Sequence, residues 1–141
     1  MAKIESIVTS GLQKMDHKTD PKSDICANLS EVLAGDFLVY GPQVLVATYV
    51  RPAKTAGGIW VTERSRAEDE YQGKTGLVIA LGPTAFKETK DVDFGGLIVK
   101  VGDWVVISPH DGLAMSINKQ HCRLVDDVQI RAVVKRPDML L

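Results

Sequence analysis

Two periodicities divide the chain. Ile4, Ile7, Val8, Leu12 and Met15 recur at helical spacing, with Lys3, Glu5, Gln13 and Lys14 on the other faces, so an amphipathic helix is predicted over residues 3–15. The stretch DHKTDPKSD, residues 16–24, alternates charge sign around Pro21 and reads as a linker that adds nothing to a core. NLSEVLAG, residues 28–35, has the pattern of one further helical turn closed by Gly35.

From Phe37 the period changes. VLVATYV (44–50), GLVIALG (76–82), DWVVI (103–107), LAMSI (113–117), CRLV (122–125) and VQIRAVV (128–134) are short and β-branched, with turn residues at 41–42, 82–83, 109–112 and 126–127. That pattern predicts an all-β body. Several runs are apolar on both faces, as expected for a small closed barrel whose interior and an outer interface are both covered. Three parts result: a helical arm and linker over 1–36, a β-barrel over 37–134, and a tail over 135–141. In the tail Pro137 stops the last strand, and Met139, Leu140 and Leu141 form an apolar tip with no evident place in the barrel.

One stretch breaks the alternation. In RPAKTAGGIWVTERSRAEDEYQGKTG, residues 51–76, Gly57 and Gly58 precede Ile59, Trp60 and Val61, and a run too charged for burial follows. The acids Glu68, Asp69 and Glu70 read there as part of a solvated loop. A core strand would keep the apolar trio inside, so its placement between a glycine hinge and a charged run suggests a hook for another molecule.

Composition narrows the function. The 141 residues suit one domain plus appendages. With 17 basic and 18 acidic residues and a net charge of -1, no basic field draws the chain to nucleic acid or an anionic membrane. The longest apolar run is broken by Gly102 and Asp103, short of the roughly 20 residues that span a bilayer. The start, MAKIESIVTSGL, does not read as a secretory signal, and a cytoplasmic protein is expected. Cys26 and Cys122 read as reduced thiols, since neither sits in a CxxC or paired-histidine spacing. His121 beside Cys122 does not suggest a metal, because neighbours on a strand point to opposite faces. SPHDG, residues 108–112, collects Ser, His and Asp within one turn, too tightly to build a hydrolytic triad. AGGIWV matches no phosphate-binding pattern, and no helix is expected after it. His17 and His110 are expected on the surface. No enzyme, metal or cofactor is indicated.

Taken in order, VLVATYVRP, KTAGGIWVT, a polar stretch, GKTGLVIALGP, VKVGDWVVI and VQIRAVV, from about Val39 to Val134, resemble the GroES-type co-chaperonin family. The resemblance implies a GroES-like β-barrel with a long mobile loop, assembled into a homo-oligomeric ring that caps a GroEL-like chaperonin and assists protein folding. In the family, the first and last strands of neighbouring subunits pair, which points to Val44, Leu45, Val46, Ile130, Ala132, Val133 and Val134 as the subunit interface. Each loop docks an apolar tripeptide on the chaperonin, which points to Gly57, Gly58, Ile59, Trp60 and Val61 as partner-binding. Alternatively, the trio packs on its own barrel or a ring neighbour. The chain departs from the family in the arm 1–36, the tail 135–141 and the bulk of Trp60. PTAFKETKDVDFGGLI, residues 83–98, replaces the roof hairpin, with Phe94, Gly95 and Gly96 able to close it. A second function fits the same fold: a structural protein without chaperonin activity, such as a phage capsid auxiliary or decoration protein in the virion, with capsid proteins as partners.

Overall fold

Successive side chains of a strand point to opposite faces, and the strand Gln43–Thr48 (β1) uses both for burial. Val44 and Val46 join Val78, Val99, Val105, Ile107 and Val125 in one cluster. Leu45, Ala47 and the following Tyr49 join Leu77, Ile79, Trp104 and Cys122 in another. The computed structural model that places them describes residues 19–52, 60–88, 90, 93–96 and 98–139. The predicted helix over 3–15 lies outside these residues.

The remaining strands are β2 (Thr75–Leu81), β3 (Trp104–Val106), β4 (Leu113–Ile117), β5 (Gln120–Asp126) and β6 (Ala132–Val134). They form one six-stranded sheet in the order β4-β5-β1-β2-β3-β6, with antiparallel pairing throughout. This is the small all-β body expected from the sequence. β4 and β5 are joined at Asn118 and Lys119, both with positive φ (50° and 66°), the backbone of a tight two-residue hairpin. Gly82 is required by close approach, because a Cβ there would sit 2.1 Å from the Gly41 carbonyl oxygen. The last predicted strand is shorter than expected: Asp127–Gln129 forms a 3-10 turn, capped reciprocally by Asp126 and Gln129, and only Ala132–Val134 pairs, with β3.

The outer face of the sheet is covered by the chain's own arm. Helix α1 (Pro21–Asn28) and the short α2 (Ser30–Leu33) place Ile25, Leu29 and Val32 in the cluster around Leu45 and Trp104. Within the predicted linker, residues 20–24 are therefore a helix start. Asp20 is an N-cap that accepts from the Lys22 N–H at 3.3 Å, and Pro21 takes the first helical position, where its missing N–H costs nothing. The Asn118 side chain also donates to the Asn28 carbonyl at 3.3 Å, tying the β4–β5 hairpin to α1.

SPHDG is a structural turn. Gly112 has φ +84°, and an added Cβ would lie 2.6 Å from the Leu124 carbonyl oxygen. Buried Arg123 donates to the carbonyls of Pro109 and Asp111 from behind, so the turn is braced by a cation. Among the described residues no group of His, Cys, Asp and Glu could hold a metal ion, and no helix is long and apolar enough to cross a membrane.

Two outcomes follow from this packing. Leu29, with no exposed surface, anchors the arm, and Leu29→Ala should destabilise the protein by about 2–5 kcal/mol in urea unfolding. Burial pushes the Cys122 thiol up to about 12. At pH 8 only roughly one part in ten thousand would be thiolate. Native protein titrated with a thiol reagent should therefore react at Cys26, which is partly exposed, and at Cys122 only after unfolding.

Candidate functional site

The connection between β1 and β2 leaves the sheet after Tyr49 and returns at Thr75, where the Tyr49 N–H donates to the Thr75 carbonyl at 3.0 Å. Residues 53–59, including Gly57, Gly58 and Ile59, lie outside the described residues. Trp60 is 71% exposed and Val61 half-buried. The charged run that follows was expected to be a solvated loop with no helix after the glycines. It is instead a helix, α3 (Glu63–Gln72). Thr62 caps it, accepting from the Ser65 N–H at 3.1 Å.

This helix has almost no apolar face, so something other than hydrophobic burial must hold it. The Arg51 guanidinium donates twice to Asp69, from Nε at 2.8 Å and from Nη2 at 3.0 Å, and the Arg51 N–H donates to Asp69 Oδ2 at 2.9 Å. Arg66 Nε returns a bond to the Arg51 carbonyl at 2.9 Å. Two-pronged contacts between Arg and carboxylate are strong when partly shielded from water. Here the side chains retain 25% and 17% exposure. The Asp69 hydrogen bond, more than any other influence, raises the Arg51 pKa, against the opposing effect of burial. The Arg64–Glu68 pair on the outer side, at 3.6 Å and largely exposed, adds little.

A second anchor lies beneath the first. Tyr49 packs edge-on against Trp104, with ring centroids 5.8 Å apart. Burial, and then the charges of Asp138 and Asp69, push the Tyr49 phenol upward, with Arg51 opposing. Asp138 belongs to the 3-10 turn Pro137–Met139; it is buried and ion-paired with Arg136. The tail thus folds back against the root of the loop. Its sequence signal, an Arg-Pro-Asp triplet, reads only as a chain stop without the tertiary partner.

The expected interface residues separate into two groups. Val44, Leu45 and Val46 have no exposed surface, and β1 is bonded to β2 on one edge and β5 on the other. Their assignment to a subunit interface is therefore corrected: they form the core within one chain. At the other end of the sheet β6 pairs only with β3 among the described residues, with Ala132 and Val133 exposed and Ile130 and Val134 partly buried. Sequence reasoning missed Leu38 and Tyr40, 79% and 86% exposed. They border an apolar groove lined by Leu33, Phe37, Val39, Ile79, Leu81 and Val101. Phe37 and Val39 turn inward to the core and leave their neighbours outside, a period-2 signal present in FLVY.

A small antiparallel β-body that extends one anchored loop from between its first two strands defines a binding module of the GroES-like class. Residues 39–134 match the family described as the chaperonin 10 Kd subunit (Cpn10), and the chain belongs to that family. It is a family of co-chaperonins and not of enzymes, so the function is of the co-chaperonin type.

The position of Pro137 and Asp138 carries its own expectation. Asp138→Ala would leave Arg136 without the carboxylate it pairs with. The folded state should lose about 1–3 kcal/mol, read from the denaturation midpoint.

Proposed function

We propose that this chain is the subunit of a homo-oligomeric ring that caps a GroEL-like chaperonin in the cytoplasm and assists protein folding. The observation that carries the reading is Trp60: a large apolar side chain, mostly exposed, at the anchored end of the β1–β2 loop of a co-chaperonin family member. Gly57, Gly58, Ile59, Trp60 and Val61 form the docking element. Gly57 and Gly58 give backbone angles closed to other residues. Each loop binds weakly because its ordering on the partner costs entropy, and several loops on one ring act together through effective concentration. Firm capture and release are then compatible.

Ring closure gives the open strand edge a partner. Ile130 and the β6 residues Ala132, Val133 and Val134 form one side of the proposed joint, and the exposed Leu38 and Tyr40 of a neighbouring copy form the other. Such a head-to-tail contact covers the β6 edge of every subunit when the ring closes. Within each subunit residues 37–134 make the ring-forming body, residues 1–36 the arm and residues 135–141 the tail, of which Pro137 and Asp138 are buried. The alternative role in a capsid gains no particular support from the packing.

The protein has two tryptophans, and Trp104 is already buried. Trp60 fluorescence should therefore shift to the blue when ATP-loaded chaperonin is added, against a constant Trp104 background. Replacing Ile59 and Val61 by Ser should abolish capture while light scattering still reports the parent ring. Each lost apolar side chain forfeits roughly 1.5–3 kcal/mol of burial, repeated around the ring. Indifference of Trp60 to the chaperonin, with normal capping by the serine variant, would refute the reading.

A further inference from the structure

The cover that the arm lays over the sheet is incomplete. Helices α1 and α2 bury Ile25, Leu29 and Val32 on the cluster around Leu45 and Trp104, while Phe37, Val39 and Ala80, packed against the same cluster, are only partly buried. Beside them runs the groove bordered by Leu38 and Tyr40, about 500 Å³ in volume, from Val32 and Leu33 of α2 across to Val101. Among the described residues that line it none carries a charge, and Leu33 and Val101 stay 43% and 50% exposed. Such a lining suits aliphatic side chains and offers nothing to an ion.

We propose that residues 3–15 fill this groove as a helix of the same chain, extending the cover begun by α1 and α2. These residues lie outside the described ones, and three features of the chain favour the placement. The first is chemistry: Ile4, Ile7, Val8, Leu12 and Met15 recur at helical spacing, with Lys3, Glu5, Gln13 and Lys14 on the other faces, so one apolar stripe can enter the groove while the polar groups stay in water. The second is stability, since a helix this short is marginal in water without an apolar surface to lie on. The third is reach. A helix over 3–15 is ~20 Å long and α1 is ~12 Å long. A chain that reverses within residues 16–20, a usual length for a connection between packed helices, runs back along α1 and past Asn28 to α2 and the groove. The contact involves the α2 side, the floor and Val101. Leu38 and Tyr40, at the rim, stay available to the joint with a neighbouring copy, so the placement stands whether or not a ring forms.

Trypsin reads the placement, because Lys14 lies within the segment and Lys18 just after it. In the full-length protein, cleavage after Lys14 should be slow beside that of a free peptide of residues 1–20. Val101→Asp puts a charge at a half-exposed position. In an empty groove it changes nothing; in a filled one it expels the segment, and cleavage after Lys14 should speed up about tenfold or more as the open form grows. Val128→Asp, exposed and outside the groove lining, is the control and should leave the rate as it is. Where Val101→Asp lowers the melting point of the body, Leu12→Asp, which alters no described residue, should give the same acceleration. The occupant is identified by replacing Val8 with a photo-reactive benzoylphenylalanine, which should cross-link to residues 32–39, 79–81 or 101. Protein assembled from a mixture of heavy- and light-isotope chains should give cross-linked peptides of one label only. Mixed labels make a neighbouring copy the occupant and overturn the proposal, as do cross-links confined to other residues. It also falls if the parent is cut as fast as the free peptide, or if Val101→Asp and Leu12→Asp leave the rate unchanged.

Discussion

Everything in this molecule is arranged around a strand buried on both faces and bonded on both edges. β1 holds Val44 and Val46 against one apolar cluster and Leu45 and Ala47 against the other, and β2 and β5 take its two rows of backbone groups. A strand placed this way demands two covers. The curl of the sheet provides one, through Val78, Val105 and Val125. The other is provided by Ile25, Leu29 and Val32. Because β1 ends at the root of the loop, the same constraint fixes the place from which the loop departs.

The strands were legible because β-branched runs and their turn residues carry local information. Five of the six strands lie close to the predicted runs, and the sixth was overextended because VQIRAVV has strand composition while Asp126 and Gln129 cap a tight turn within it. The two-sided apolar pattern also read correctly, but not the identity of the outer cover. Two helices were missed for opposite reasons. In α1 the breaker Pro21 was weighed without the Asp20 cap that makes it a starting residue. In α3 the charges looked incompatible with order, since the stabilising partner of Asp69 is Arg51, distant in sequence and on the other stem. Periodicity cannot see an ion pair between stems.

The candidate site shows the same division. Of the GGIWV stretch the described residues hold Trp60, which is mostly exposed, and Val61, which is half-buried. The interface assignment went wrong at Val44, Leu45 and Val46 because an apolar run gives no sign of whether a neighbour subunit or the chain itself covers it. The residues that are uncovered, Leu38 and Tyr40, sit just ahead of the run in a stretch whose alternation was not followed. The root of the loop is held by polar contacts, through Arg51 and Asp69, while the apolar side chain of Trp60 stays mostly exposed.

The arm's packing also bears on how fragments of this protein should be understood. The stretch matched by the family begins at Val39 and leaves α1 and α2 outside it. Cutting the chain to that stretch would strip Ile25, Leu29 and Val32 from the sheet and bare a wall of Leu45, Leu77, Ile79 and Trp104 to water. A bare wall of that kind favours self-association. Particles formed by such a fragment would be held together by a surface that the intact chain keeps closed, and their size would carry no information about the native assembly.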